Sequence, residues 1–185
     1  MKILAFTGMP CSGKSVAVEI AKQHQIPVIR MGDAVWDETR KQGLSLCDEH
    51  VGSVASTMRE QHGKHIWAKK TVEKIKTFPT SNIIVIDGIR NQEEINYFKT
   101  TLGNDFSLIA ITASYETRNK RMQKRRREDD DVQANDLKNR DNRELGWGLG
   151  EVIKNADIEI VNEGSIEEFH QTIAELFKAL QKSIT

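Results

Sequence analysis

The segment Gly8-Met9-Pro10-Cys11-Ser12-Gly13-Lys14-Ser15 constrains this chain more than any other feature. It fits G-x-x-x-x-G-K-S without adjustment. It follows an apolar run over 2–7 and precedes Val16, Ala17, Ile20 and Ala21 at helical spacing. Strand, glycine-bearing loop and helix is the context that gives this pattern its meaning. Glycines let the backbone curl until its N–H groups point inward as an anion nest, and the helix that opens near Lys14 adds the positive end of its dipole. In such a loop the lysine reaches the β- and γ-phosphates of a nucleotide, and the serine offers its hydroxyl to Mg²⁺. Gly8, Met9, Pro10, Cys11, Ser12, Gly13, Lys14 and Ser15 are therefore the expected cradle for ATP. Lys14 is also a catalytic candidate and Ser15 a metal ligand. Cys11 occupies the variable part of the loop and reads as filler rather than as a redox group.

The remaining pattern predicts an α/β fold. Apolar runs over 28–31, 82–87, 107–112 and 158–161 read as strands, and the uninterrupted Ile83-Ile84-Val85-Ile86 is typical of a central parallel strand. Between them lie helical patterns over 14–24, 34–42, one or two helices in 51–76 with Gly63 as the break, 92–100, 116–127, 136–153 and 165–184. Asp33 is placed to cap the helix at 34, and Ser165 with Glu168 forms an S-x-x-E capping box. Strands alternating with helices imply a five-stranded parallel sheet covered on both faces. No repeat or low-complexity linker interrupts it, so residues 1–185 are expected to form one domain.

Composition narrows the class. The 185 residues carry 27 Lys plus Arg against 27 Asp plus Glu, a formal charge of zero, which argues against a dedicated nucleic-acid binder. Cys11 and Cys47 are the two cysteines, too few for a disulfide framework and consistent with a reducing compartment. The first apolar run has neither the length of a signal segment nor that of a membrane span, and the expectation is a cytoplasmic protein without a membrane partner.

Two further groups carry candidate chemistry. Asp87 stands at the end of a buried strand, where P-loop enzymes hold Mg²⁺, and Arg90 beyond the turn is suited to an acceptor phosphate. Arg118, Arg121 and Arg125 share one helix face, and Arg127 extends the run. Phosphoryl transfer spreads negative charge that guanidiniums stabilise. Arg121, Arg125 and Arg127 are thus catalytic candidates, Arg118 and Arg121 nucleotide contacts, and Arg140 and Arg143 the other side of a closing flap. Gly164, in the loop before the last helix, is placed for backbone contact with the adenine edge. Asn119-Lys120-Arg121-Met122 lacks the aspartate of a guanine-reading N-K-x-D, which disfavours a GTPase.

These pieces resemble the adenylate-kinase-like branch of P-loop kinases, most closely an archaeal-type family of adenylate-kinase-related proteins that is also similar to dephospho-coenzyme A kinase. The resemblance rests on the cradle, Met31-Gly32-Asp33, Ile86-Asp87-Gly88-Ile89-Arg90, Arg127-Glu128-Asp129-Asp130, Glu144-Leu145-Gly146-Trp147-Gly148, and 155–157 through 162–165. It implies an acceptor-binding flap over 32–70 and a lid over 115–145. It also implies ATP- and Mg²⁺-dependent transfer to a small nucleotide-like acceptor. The pattern departs at Trp36, where adenylate kinases carry the arginine that grips AMP, and Arg40, one turn on, is the candidate substitute. Asp33 looks like the aspartate of dephospho-coenzyme A kinases, so it is both a catalytic-base and a substrate-binding candidate. AMP, another nucleotide and dephospho-coenzyme A all stand as acceptors, beside a third reading in which ATP hydrolysis drives a regulatory switch.

Overall fold

The computed structural model of the protein describes residues 1–124 and 136–184. Strands β1 (Lys2–Thr7), β2 (Val28–Arg30), β3 (Ile83–Asp87), β4 (Phe106–Thr112) and β5 (Ile158–Val161) form one all-parallel sheet in the order β2-β3-β1-β4-β5. Parallel neighbours need crossovers, and helices supply them: α1 (Lys14–Gln23), α2 (Met31–Lys41), α3 (Asp48–His62), α4 (Ile66–Ile75), α5 (Gln92–Leu102), α6 (Tyr115–Lys124), α7 (Asp136–Gly146), α8 (Leu149–Lys154) and α9 (Ile166–Ile184).

The two-residue period of a strand divides the core into two layers. Ile3 and Ala5 of β1, Ile84 and Ile86 of β3, and Phe106 and Leu108 of β4 pack with α2, α4, α5 and α8. Leu4 and Phe6, Ile83 and Val85, and Ile109 and Ile111 pack with α1 and α9 on the other face. Both faces are apolar, which is why 83–86 alternates with nothing. Each fully buried side chain of this size contributes about 1.5–3 kcal/mol.

Local geometry corrects two expectations. Helix α2 begins at Met31, directly after β2, with extended Arg30 as its N-cap residue. Asp33 is consequently in the first turn and not the cap. Met31 is 3% exposed, and burying it at once leaves no room for a separate capping turn. The single helix expected over 136–153 is two, because Gly148 at φ 98° breaks the run between α7 and α8. The Ser165–Glu168 box forms as expected: Glu168 N donates to Ser165 Oγ at 3.1 Å, and Ser165 N to Glu168 Oε2 at 2.8 Å.

Central β1 has β3 on one side and β4 on the other, so the chain departs in both directions from its carboxyl end. Open α/β sheets bind ligands at such a switch point. Register brings the tips together: Asp87 lies across from Phe6 on one neighbour and Arg30 on the other. Among the described residues no helix is long and apolar enough to cross a membrane.

Candidate active site

The loop between β1 and α1 is built for close approach. Gly8 has φ 145°, and a Cβ there would meet Ile111 O at 2.2 Å; Gly13 has φ 120°, and its Cβ would meet Asn162 Nδ2 at 2.3 Å. Only glycine fits either place. Cys11 takes the left-handed conformation at φ 62°. The loop is fixed from behind: Ser12 O accepts from Asn162 Nδ2 at 2.8 Å and from Arg121 at 3.3 Å. Ser12 Oγ and Thr7 Oγ1 are buried without partners among the described residues. Lys14 Nζ folds back to donate to the carbonyls of Gly8 and Met9, the latter at 3.0 Å. Burial pushes its pKa down, opposed by the carboxylates of Asp87 and Glu144. An ammonium held on loop carbonyls exchanges them readily for phosphate oxygens, which carry more charge.

Gly8, Lys14, Ser15 and Asp87 line one cavity of about 260 Å³, together with Arg90, Arg140, Arg143 and Glu144. Burial raises the pKa of Asp87, while Lys14, Arg30 and Arg90 draw it back and Asp33 adds to the rise. No group of three His, Cys, Asp or Glu able to hold a metal occurs among the described residues. The oxygen donors on this cavity are instead the Ser15 hydroxyl and the Asp87 carboxylate, with Glu144 a second carboxylate engaged by Arg90. That sparse, hard oxygen set fits Mg²⁺, which keeps most of its shell as water and phosphate oxygen.

Helices α6 and α7 divide their arginines unexpectedly. Arg118, 5% exposed, makes a bidentate pair with Asp141 at 2.8 and 2.7 Å and also donates to Pro10 O at 3.1 Å and Ala113 O at 3.2 Å. Arg121 donates to Asn162 O at 2.9 Å and Asn162 Oδ1 at 3.0 Å. Neither lines the cavity; Arg140, Arg143 and Glu144 of α7 do. Glu144 Oε1 accepts from Arg90 at 3.1 Å.

A second cavity, about 460 Å³, opens beside the first and shares Gly88, Arg90 and Arg143 with it. Its walls include Trp36 of α2, Arg59 of α3, Trp67 of α4, Glu94 of α5 and Trp147. Trp147 is stacked by two guanidiniums, Arg90 at 4.9 Å and Arg143 at 5.6 Å. Glu94 is 0% exposed and accepts from Arg90 N at 2.8 Å and from Arg59 at 3.4 Å. Burial raises its pKa against those two contacts.

A sequence family described as an AAA domain matches residues 4–145. A UPF0200 protein from Methanosarcina barkeri is 43% identical over 95% of the chain and 94% of its own length. The chain belongs to the UPF0200 family. A UPF0200/UPF0201 protein from Archaeoglobus fulgidus is 42% identical over the whole chain, which spans only 57% of that relative. Among solved structures, shikimate kinase from Bacteroides thetaiotaomicron superposes with a TM-score of 0.59 at 9% identity, covering 98% of both chains. Dephospho-CoA kinase from Campylobacter jejuni superposes at 0.53 and 19% identity, covering 97% of both. The UPF0200 chain therefore has the P-loop kinase fold.

Of the residues singled out by sequence, Gly8, Pro10, Cys11, Lys14, Ser15, Asp87 and Arg90 converge on the first cavity of this UPF0200 chain. Met9 and Ser12 shape the loop, Met9 through its carbonyl and Ser12 through Asn162. Asp33 is exposed and lines neither cavity, but lies near enough to act on Asp87. Arg40 is exposed, pairs with Asp37 at 3.0 Å and lines neither cavity. Gly164 packs on the capping box, with Glu168 Oε2 2.3 Å from where a Cβ would stand. Arg125 and Arg127 lie outside the described residues. Glu144 and Trp147 enter the sequence reading only as members of the 144–148 motif, with no role given to either. Sequence reasoning missed Asp141, Arg59 and Glu94, and of these only Glu94 carried a local signal: Asn91 three residues earlier is an N-cap whose Oδ1 accepts from Glu94 N at 2.8 Å.

Proposed function

We propose that this chain is an ATP- and Mg²⁺-dependent phosphotransferase acting on a small nucleotide-like acceptor, in the manner of a nucleoside monophosphate kinase. The observation that carries the reading is the meeting of two cavities at Gly88, Arg90 and Arg143. One holds the phosphate cradle. The other is a larger chamber with aromatic and cationic walls. Transfer requires donor and acceptor to share a boundary, with positive charge at the boundary where the moving group is most anionic.

In this reading the loop amides and Lys14 bind the donor phosphates. Ser15 and Asp87 hold Mg²⁺, which neutralises charge on the phosphates when bound. Arg90, at the seam, steadies the acceptor's anionic end, and Arg140 and Arg143 surround the transferred group. Residues 32–70 act as the acceptor flap and 115–145 as the lid, which excludes water as it closes.

The second reading is a hydroxyl acceptor of the dephospho-coenzyme A type, with Asp33 as its base. Asp33 is exposed near Asp87 but lines neither cavity, so the geometry supports it less. A hydroxyl needs a base, whereas a phosphate acceptor is already anionic.

The test is a panel of nucleoside monophosphates and dephospho-coenzyme A, incubated with Mg-ATP, followed by product identification. Transfer is expected to one of them and to be lost in Lys14→Ala, which keeps its fold. ATP hydrolysis with no phosphorylated product from any acceptor would refute the proposal in favour of an ATPase switch.

A further inference from the structure

The sequence reading gives the acceptor's phosphate to Arg90, and the resemblance adds Arg40 of α2 as a candidate. The structure offers a different residue. Arg59 comes from α3, lines the second cavity and has a side chain 21% exposed. Its Nε is buried without a hydrogen-bond partner among the described residues. A buried donor without an acceptor costs about 1–3 kcal/mol. Its contact with Glu94 is 3.4 Å long, well beyond the usual 2.7–2.9 Å of a charge-assisted bond. Arg59 is thus held but not satisfied.

What surrounds it defines the ligand. Glu94 touches both Arg59 and the backbone N–H of Arg90, so one buried acid sets two arginine-bearing segments in relation. Trp36 and Trp147 stand on the same cavity, 44% and 42% exposed. The Trp36 indole, with no stacking partner among the described residues, is suited to the face of a planar ring, while Trp147 already carries the Arg90 and Arg143 guanidiniums and offers a cationic edge beside it. Nothing lies within 4 Å of where Cβ atoms at Gly32 and Gly52 would be, so those positions leave the chamber open. Its volume of about 460 Å³ falls within the range of roughly 300–1,000 Å³ typical of small-molecule sites.

We propose that Arg59, with Arg90, binds the phosphate of a planar-ring phosphomonoester, a nucleoside monophosphate, whose base lies against Trp36. Glu94 is a positioning residue that orients Arg59. The proposal rests on the phosphotransferase reading for the name acceptor, but its test needs no turnover.

Titrate the full chain with AMP, GMP, CMP and UMP, following tryptophan fluorescence and heat, with Mg-ATP titrated separately. Adenosine and ribose 5-phosphate supply the ring and the phosphate alone. At least one monophosphate is expected to bind saturably, with both halves weaker. Arg59→Ala should weaken it about 10- to 100-fold, the range of a lost charged hydrogen bond. Arg59→Lys should recover part of that loss, since it keeps charge but loses the fork. Arg40→Ala should change nothing, and ATP affinity should be the same throughout. Equal monophosphate affinity in wild type and Arg59→Ala overturns the proposal. So does adenosine or ribose 5-phosphate binding as tightly as the whole nucleotide, or dephospho-coenzyme A binding more tightly than every monophosphate. ATP binding without any monophosphate binding overturns this proposal and leaves the phosphotransferase reading standing; failure to bind Mg-ATP overturns that reading instead.

Discussion

Arg118 is the residue on which sequence and structure part most sharply, and Asp141 decides between them. As a nucleotide contact, Arg118 would be dispensable for folding. In the structure its guanidinium side chain is 7% exposed and grips Asp141, 11% exposed, through two short bonds, while also holding Pro10 O in the phosphate loop. Asp141→Asn removes the countercharge and leaves a buried cation with carbonyls alone. Breaking a buried pair in this way costs about 3–5 kcal/mol. In a chain of this size each kcal/mol lowers Tm by about 2–4 °C, so the expected fall is about 6–20 °C. Arg118→Met should cost a similar amount. The double variant Arg118→Met/Asp141→Leu should recover most of it, because an apolar pair of similar volume desolvates no charge. With Asp141→Leu as the matching single variant, urea unfolding of wild type, Arg118→Met, Asp141→Leu and the double variant gives the coupling energy directly. The reasoning fails if Asp141→Asn and Arg118→Met both keep Tm within about 2 °C of wild type, roughly 1 kcal/mol, while ATP affinity collapses. That result would make Arg118 a ligand contact and the pair with Asp141 incidental.

Three further outcomes follow from the same geometry. Cys11 lines the donor cavity and Cys47 is exposed at the start of α3, where the backbone N–H of His50 lowers its pKa; Mg-ATP should therefore slow iodoacetamide labelling of Cys11 and leave Cys47 unchanged, and equal protection of both would refute the loop's role. Asp33→Asn should leave Tm nearly unaltered, since Asp33 is exposed and makes no cap bond; on a hydroxyl acceptor it should lose about a hundredfold to ten-thousandfold in kcat, and on a phosphate acceptor far less. Burial raises the pKa of Glu94 above the ordinary 4.5, despite Arg90 N and Arg59. From 4.5 up to that raised value the folded protein holds a proton the unfolded chain has released, so stability falls as pH rises through the window. Glu94→Gln removes this dependence, and its stability deficit relative to wild type should shrink with rising pH; a deficit constant above pH 5 would mean Glu94 ionises normally.

The legible parts of the chain are those fixed by local physics. The phosphate loop, the strand tip at Asp87 and the Ser165–Glu168 box each depend on spacing within a few residues, and spacing is what a sequence displays. The all-apolar run at 83–86 also declares its two-sided burial. What stays hidden is which neighbour a helix face meets. Periodicity shows that Arg118 and Arg121 share a face, but not that it meets Asp141, 23 residues on, and Asn162, 41 residues on. The cavity instead receives α7, whose Arg140, Arg143 and Glu144 have the same three-and-four spacing and so could not be ranked above the others by pattern. The same reasoning explains Arg40. It does lie on the face of Trp36, as residues four apart must, but about 6 Å further along the helix axis. Arg40 there pairs back with Asp37, one turn earlier on the same helix, and lines neither cavity, while Arg59 of α3 lines the chamber and meets Glu94, 35 residues away. The arginine that the resemblance expects at 36 is thus absent from α2, and the cationic side chains that do line this opening, Arg59, Arg90 and Arg143, come from three other segments that no local pattern links.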